Sequence, residues 1–194
     1  MMRKECLDGD RIFVIRDFLT TDECHSLIAR SEGAGYETAS IATAAGPLID
    51  TEVRDNARLV TDDPGMADAL WQRASAFVPP FTGGWHVLGL NERFRFYRYD
   101  VGQKFRLHYD GFFRRDDREQ SQLTFMIYLN DGFTGGETKF YLDDRTLHVV
   151  VQPGCGLALV FAHRQLHEGA PVLNGRKYVL RTDVMYSVTP QQGP

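Results

Sequence analysis

The sequence predicts an α+β fold in which a β-sandwich or β-barrel of about eight short strands is backed by helices. Two observations carry this prediction. Two early stretches have helical start signals and helical apolar spacing, and from about residue 91 the apolar spacing changes to a period of two. The chain has 194 residues, which suits one domain over 1–194.

The first predicted helix spans 20–35 and follows a strand predicted over 11–18. Thr20 and Glu23 match a capping box, and Gly33 is the predicted stop.

The second predicted helix spans 62–80, with Asp63 as its cap, Pro64 in its first turn and prolines 79–80 at its end. Its apolar residues recur at helical spacing and predict a stripe that faces the core. These residues are Met66, Leu70, Ala74 and Phe77.

The segment 37–60, between the two helices, has small residues and no clear period. We expect it to be irregular, and a loop of that length in a compact domain is often a lid. The charged loop 112–120 is a second candidate for substrate contact, although a cluster such as RRDDRE is more commonly a solvated surface.

From about residue 91, stretches that alternate or run β-branched are separated by Gly, Asn and Asp. The predicted strands are RFRFYRY, KFRLHYD, QLTFMIYLN, ETKFYLD, TLHVVVQ, GLALVF and RKYVLRTDVMYSV, with a short eighth near APVL. The sequence TGGET lacks the Lys-Ser/Thr of a phosphate-binding loop, so it predicts a tight turn with positive φ.

Composition argues against several classes of protein. The net charge of −4 argues against a general nucleic-acid binder, although it leaves room for a local basic face. Three scattered cysteines, at positions 6, 24 and 155, favour neither a disulfide framework nor a cysteine zinc site, and a reducing cytoplasm fits them best. We find no signal peptide and no apolar run long enough to span a membrane.

The stretch FRLHYDG, residues 105–111, raises the question of a metal site. Residues i and i+2 of a strand face the same side, so His108 and Asp110 project together. The site that fits is the 2-His-1-carboxylate triad of non-haem Fe(II) oxygenases, which leaves three coordination positions open. By itself, such a pair is weak evidence for a metal site and is more often an ordinary polar strand end.

A third ligand must come from elsewhere, and the second half of the chain offers His148, His163 and His167. His167 lies 57 residues after Asp110, which leaves room for four or five strands to bring the chain back beside it. His163 is most simply a surface or hydrogen-bonded histidine, and His148 alternates with valines as a candidate cross-strand partner. We expect a turn rather than a helix over HRQLHEG.

Four sequence elements occur in order: HYD at 108–110, GGET at 135–138, PG at 153–154 and HEGAPVLNGRK at 167–177. Together they resemble the prolyl 4-hydroxylase-type branch of the 2-oxoglutarate- and Fe(II)-dependent dioxygenases. The resemblance implies that family's double-stranded β-helix (jelly roll) of about eight core strands. The core would lie in 91–187, with supporting helices and the lid segment in 1–90.

The same resemblance implies that His108, Asp110 and His167 bind Fe(II). It implies 2-oxoglutarate as the co-substrate, with ascorbate as a candidate further requirement. The reaction would hydroxylate a C–H bond and release succinate and carbon dioxide. A three-ligand site keeps positions open for this, which a closed four-ligand zinc site does not. No catalytic residue beyond the metal ligands is expected.

The distal carboxylate of 2-oxoglutarate needs a cation, because an unpaired buried carboxylate is costly. In the resembled family this cation lies ten residues after the second histidine, which here is Lys177. Arg181 is the alternative, since it would share a strand face with Lys177 and arginine makes the better fork for a carboxylate. Tyr99 matches a family tyrosine that hydrogen-bonds the co-substrate; an aromatic wedged in the sheet is the other interpretation.

The substrate cannot be read from motifs. The resemblance suggests a prolyl residue in a protein, and a small molecule such as a free amino acid or a natural-product intermediate is the alternative within the class. Outside the class, a cupin-like, non-enzymatic metal-binding module could share the fold. Such a module need not keep a cation for 2-oxoglutarate.

Overall fold

The computed structural model describes residues 1–39, 41–43, 46–48 and 54–188. In this part of the chain there are two helices, α1 (Thr21–Ala34) and α2 (Pro64–Ala74). The strands, in chain order, are β1 (Arg3–Asp8), β2 (Ile12–Arg16), β3 (Glu37–Thr38), β4 (Ile41–Thr43), β5 (Gly46–Leu48), β6 (Ala57–Asp62), β7 (Phe81–Thr82), β8 (Trp85–Leu90), β9 (Arg93–Tyr99), β10 (Phe105–His108), β11 (Glu119–Tyr128), β12 (Thr134–Gly135), β13 (Thr138–Tyr141), β14 (Leu147–Val151), β15 (Ala158–Ala162), β16 (Leu166–Gly169), β17 (Val172–Asn174) and β18 (Lys177–Val188).

Helix α1 begins as predicted but ends later. The Thr20 side chain accepts a hydrogen bond from the Glu23 N–H, and the Glu23 carboxylate accepts one from the Thr20 N–H. The helix ends at Ala34, and its C-cap is Gly35 rather than the predicted stop Gly33. Gly35 has a φ of 87°, and its N–H donates to the carbonyl of Ser31.

Helix α2 begins as predicted but is shorter than expected. Asp63 accepts from the Met66 N–H, and Pro64 is the first helical residue. The helix ends at Ala74, well before the two prolines. The N–H groups of Phe77 and Val78 both donate to the Ala74 carbonyl, which closes a turn instead of continuing the helix. Leu70 and Ala74 of the predicted apolar stripe are buried, as expected.

A large sheet and a small sheet face each other. The large sheet has the order β1-β2-β15-β11-β18-β9-β6-β3, with β8 also paired to β18 and β7 to β8. The small sheet has the order β10-β16-β13-β14. Strand β18 is central, because it pairs with β11 along one edge and with β9 and then β8 along the other.

Successive side chains of each strand point to opposite faces of the large sheet, so its apolar side chains form two layers, one on each face. One layer lies between this sheet and the helices and includes Phe94, Phe96, Leu180 and Val184 together with helical residues such as Leu70. The other lies between the two sheets. It includes Tyr97, Tyr99, Tyr128, Phe140, Phe161 and Val179. The candidate site opens within this second layer.

The strands predicted after residue 91 are confirmed, with shifts of one to three residues at most ends. The prediction misses nine strands, most of them short: β1, β3, β4, β5, β6, β7, β8, β12 and β16. Strand β16 occupies the second half of HRQLHEG, so the turn expected there is confined to its first residues. Strands β3, β4 and β5 and most of β6 lie in the segment 37–60, so that segment is not irregular throughout. Its residues 40, 44–45 and 49–53 lie outside the described residues, and the expectation of a lid concerns mainly these.

The first 90 residues supply strands of the large sheet as well as the predicted supporting helices. Strands β1, β2, β6 and β8 all belong to it. Neither of the two described helices is long and apolar enough to cross a membrane.

Candidate metal centre

The two strands β10 and β16 bring two histidines together. His108, the last residue of β10, is the direct register partner of His167 in β16. Asp110 follows two residues after β10, where its N–H donates to the carbonyl of His163 at 3.2 Å. One ligand atom from each of His108, Asp110 and His167 lies within 4.8 Å of the others. The structure therefore assembles the predicted triad.

The hydrogen bonds of both imidazoles leave the Nε2 atoms free for a metal. The Nδ1 of His108 lies 2.7 Å from the carbonyl of Arg106, and the Nδ1 of His167 lies 2.8 Å from the carbonyl of Gln165. A carbonyl only accepts, so each Nδ1 carries the proton and each Nε2 presents a lone pair. This is the arrangement that a second hydrogen-bonding partner imposes on metal-binding histidines.

Aromatic rings hold the two imidazoles in place. The ring of Phe105 stacks on His108 with centroids 3.6 Å apart. The ring of Phe161 meets His167 edge-on at 4.7 Å. These contacts restrict the rotation of both imidazoles.

Asp110 is buried but ionised. Its Oδ2 accepts from the Thr124 hydroxyl at 2.6 Å, and its Oδ1 lies 2.9 Å from Nη1 of Arg181. Burial alone would raise the pKa of this carboxyl, but the Arg181 guanidinium and the two histidines hold the pKa well below its usual range. Burial lowers the pKa of His167 to about 4, so its imidazole is neutral near pH 7, as a metal ligand must be.

The other two histidines are outside the triad. His163 is buried rather than on the surface, and its Nε2 and Nδ1 contact the hydroxyls of Ser121 at 2.8 Å and Thr124 at 3.1 Å. The hydrogen-bonded alternative for His163 is therefore correct. His148 lies 3.3 Å from the Asp8 carboxylate on a partly exposed surface.

A cavity between the sheets begins at the triad and is partly open to solvent. Lys177, Val179 and Arg181 line it from one face of β18, as the strand alternation predicted. Tyr99 also lines the cavity and is the direct register partner of Lys177.

Lys177 is a buried cation in this cavity, with 3% of its surface exposed. Its Nζ donates to the Gly136 carbonyl at 2.6 Å and lies 5.3 Å from the ring centroids of both Tyr99 and Tyr128. Burial lowers the pKa of Lys177 to about 7.

The GGET turn positions the carbonyl that Lys177 contacts. Gly135 and Gly136 have φ angles of 74° and 69°, which confirms the predicted positive-φ turn. A Cβ on Gly135 would lie 2.4 Å from the carbonyl oxygen of Pro171, so no larger residue fits this close approach.

Arg181 lines the same cavity nearer to the metal ligands. Besides Asp110, its guanidinium contacts the hydroxyl of Thr124 at 3.3 Å and the carboxylate of Asp183 at 3.4 Å. Lys177 and Arg181 therefore share a strand face but have different surroundings.

Comparison with known proteins agrees with this geometry. Residues 94–182 match the sequence profile of the 2OG-Fe(II) oxygenase superfamily. A probable prolyl 4-hydroxylase 8 of Arabidopsis thaliana is 32% identical over 138 residues, which are 67% of this chain and 44% of that protein. A probable prolyl 4-hydroxylase 3 of the same plant is 27% identical, and the alignment covers 87% of this chain and 67% of that protein.

Residues 94–182 belong to the 2OG-Fe(II) oxygenase superfamily.

Solved structures show the superfamily's fold over almost the whole chain. A Pseudomonas putida prolyl-4-hydroxylase superposes with a TM-score of 0.62 at 23% identity, covering 90% of this chain and 91% of its own. A prolyl hydroxylase of Trichoplax adhaerens, solved with a hypoxia-inducible-factor peptide, superposes with a TM-score of 0.68 at 18% identity. The superposition covers 92% of this chain and 84% of the Trichoplax chain. The predicted double-stranded β-helix is thereby confirmed.

Superfamily membership implies Fe(II) and 2-oxoglutarate, and the residues present fit a divalent metal. The Nε2 of His108 is buried and has no hydrogen-bond partner among the described residues. An unpaired buried acceptor is costly, and a metal ion would satisfy it together with the ionised Asp110 and the neutral His167.

Several residues near the triad carried no signal in the sequence. Two cavities meet at the triad. One is lined by Thr124, and the other is lined by Arg54, Arg95 and Asp183. Arg54 lies in the unpatterned segment 37–60, and the other three are ordinary strand positions. Only the pairing of distant strands brings them to Asp110 and His108.

Proposed function

We propose that this chain is an Fe(II)- and 2-oxoglutarate-dependent dioxygenase that hydroxylates a prolyl residue in a polypeptide. One observation carries the proposal: the metal triad opens into a buried cavity that also contains the cation of Lys177. A metal centre joined to a site for a dicarboxylate is what a 2-oxoglutarate-dependent reaction requires. A non-enzymatic binding module has no need of the buried lysine, which is costly to keep.

In this proposal His108 and His167 bind Fe(II) through Nε2, and Asp110 binds it through a carboxylate oxygen. With 2-oxoglutarate and O₂, the bound iron supplies the oxidising chemistry that releases succinate and carbon dioxide and hydroxylates a C–H bond. Three protein ligands would leave coordination positions of the metal open for the co-substrate.

Lys177 binds the distal carboxylate of 2-oxoglutarate. An ammonium group has three N–H donors, and within the described residues only the Gly136 carbonyl accepts from it. A carboxylate would satisfy the remaining donors and restore the charge that burial disfavours. The phenol of Tyr99 would hydrogen-bond the same group, which is supported by its register pairing with Lys177 and by its place in the lining of the same cavity.

Arg181 is the weaker candidate for this role, because its Nη1 and Nη2 already contact other groups and only its Nε has no hydrogen-bond partner among the described residues. It contacts the carboxylates of Asp110 and Asp183 and the hydroxyl of Thr124. We propose that it orients Asp110 and faces the substrate rather than the distal end of 2-oxoglutarate.

Two features support a polypeptide substrate. Tyr109 and Phe112, beside the triad, are 53% and 57% exposed. They line the second of the two cavities that meet at the triad, which we call the outer cavity. Aromatic side chains of this kind pack well against a proline ring. The relatives are named prolyl 4-hydroxylases, and the Trichoplax structure holds a peptide. We further propose a cytoplasmic location, on the basis of the three free cysteines.

The test is coupled turnover on defined substrates. Purified protein with Fe(II), 2-oxoglutarate and a library of proline-containing peptides should release succinate and give a peptide product heavier by one oxygen atom. Asp110→Asn is the matched control and should do neither. Succinate release with free amino acids but with no peptide would establish the small-molecule alternative, and no 2-oxoglutarate turnover at all would favour a binding module.

A further inference from the structure

An outer cavity adjoins the triad and carries a concentration of positive charge. It shares His108, Asp110 and Arg181 with the inner cavity. Four arginines line it, and we call them the arginine rim: Arg54, Arg58, Arg95 and Arg181. The whole chain has a net charge of −4, so this positive charge is a local feature.

The described acidic residues of the outer cavity do not balance the charges of Arg54, Arg95 and Arg181. Among the described lining residues, the carboxylates are those of Asp110 and Asp183. Three guanidinium groups therefore accompany two carboxylates in this part of the structure, and Asp110 is already assigned to the metal. A bound divalent ion would add further positive charge, whereas the co-substrate's distal carboxylate is matched by Lys177.

Two of the arginines lie where like charges are unfavourable. Arg95 and Arg181 are direct register partners on the adjacent strands β9 and β18. Like charges at opposed positions destabilise a sheet. Asp183 lies between them, 3.2 Å from Arg95 and 3.4 Å from Arg181, and its single charge cannot neutralise both.

Arg54 adds a third, buried guanidinium to the rim. It is 5% exposed and lies over the rings of Tyr97 and Phe105, with its carbon atom Cζ 4.3 Å and 4.4 Å from their centroids. Its Nε donates to the Asn56 side chain, but its Nη2 has no hydrogen-bond partner among the described residues. A buried donor without an acceptor is costly, and an anionic ligand is one way to satisfy it.

We propose that the substrate presents a carboxylate to Arg54, Arg95 and Arg181, and that this contact places the reacting C–H bond over the metal. This inference rests on the proposed function, since it takes Lys177 as the site for the co-substrate. The carboxylate can be an acidic side chain near the target proline of a peptide, or the α-carboxylate of a free amino acid. The paired N–H donors of an arginine guanidinium group match the geometry of either carboxylate.

Binding to the protein loaded anaerobically with Mn(II) and 2-oxoglutarate tests the proposal without turnover. The peptide probes are proline-centred and differ only by glutamate or glutamine at each flanking position. The small probes are L-proline and L-prolinamide. We expect the carboxylate-bearing member of one of the two pairs to bind at least about tenfold more tightly, the effect of one charged hydrogen bond. Whichever pair shows the preference identifies the source of the carboxylate.

Variants of Arg95 assign the preference to the arginine rim. Arg95→Gln should reduce the affinity ratio between the carboxylate-bearing probe and its neutral counterpart to about one. Arg95→Lys should keep part of this preference, and Arg95→Glu should reverse it in favour of the neutral probe. The matched control is Arg93→Gln, on the same strand, because Arg93 pairs with the exposed Asp62 and does not line the outer cavity. It should retain the wild-type ratio.

Equal binding within both pairs, or no binding of any probe, overturns the inference, as does a preference that Arg95→Gln leaves intact. The proposed function is judged separately. A carboxylate preference in a protein that never turns over 2-oxoglutarate would support the anionic site and refute the dioxygenase.

Discussion

The imidazoles of His108 and His167 lie side by side on paired strands, with ring centroids 4.2 Å apart, and each Nδ1 donates to the carbonyl two residues earlier. The repeated contact fixes the same tautomer in both rings and turns both Nε2 atoms toward Asp110. The site is therefore organised for a metal by backbone hydrogen bonds within two short strands.

Mutations can distinguish the roles of Lys177 and Arg181 in binding 2-oxoglutarate. Lys177→Ala should weaken 2-oxoglutarate binding by about 10- to 100-fold, because it removes a charged hydrogen bond from a buried site. Arg181→Ala should change 2-oxoglutarate affinity less, and should weaken metal binding or substrate binding instead, since Arg181 contacts Asp110. Calorimetric titration of 2-oxoglutarate into the Mn(II) protein measures the difference. Loss of 2-oxoglutarate affinity in Arg181→Ala alone would reverse the two roles.

The affinity for 2-oxoglutarate should depend on pH through Lys177. Binding requires the ammonium form, and burial lowers the pKa of Lys177 in the free protein to about 7. Above that pH binding must take up a proton, so the dissociation constant should rise by about tenfold per pH unit, and below it the constant should be flat. Lys177→Arg, which stays charged, should bind with no such dependence. A dissociation constant that does not change from pH 6 to 9 in the wild type would contradict this prediction.

The lowered pKa of Lys177 also makes the stability of the fold depend on pH. The folded pKa of Lys177 lies below its unfolded value of 10.5, so between about pH 7 and 10.5 the unfolded chain binds more protons. The contribution of this residue to the free energy of unfolding should therefore rise with pH over that window. Denaturant melts of the wild type and of Lys177→Met, compared across the window, isolate this contribution. The opposite slope would show that Lys177 is not buried as described.

The sequence could predict the parts of the site that depend on local periodicity. The two-residue repeat of a strand puts His108 beside Asp110 and Lys177 beside Arg181, whatever the rest of the fold. It could not predict that Arg54 or Arg95 approaches the triad, because that depends on which distant strands pair. Strand β1 was missed for a related reason. It is a half-exposed edge strand, RKECLD, without an apolar alternation that marks a buried face.

Thr124→Val should weaken metal binding although it preserves the shape of the side chain. It removes the 2.6 Å hydrogen bond to Oδ2 of Asp110 and one partner of His163. Loss of such a contact behind a metal ligand typically costs 10–100-fold in affinity, and we expect about tenfold. Thr182→Val is the control, because the Thr182 hydroxyl is also buried but bonds the carbonyls of Asn91 and Arg93. It should lower stability and leave metal affinity unchanged. Equal metal affinity in both variants would argue against a role for Thr124.

The central claim is that His108, Asp110 and His167 form the metal site, and an anaerobic Fe(II) titration of the metal-free protein tests it most directly. We expect one equivalent bound per wild-type chain and almost none in His108→Ala, Asp110→Ala or His167→Ala, each with a circular dichroism spectrum near that of the wild type. His163→Gln should still bind one equivalent, with reduced affinity. One full equivalent in His167→Ala, together with none in His163→Gln, would contradict the account.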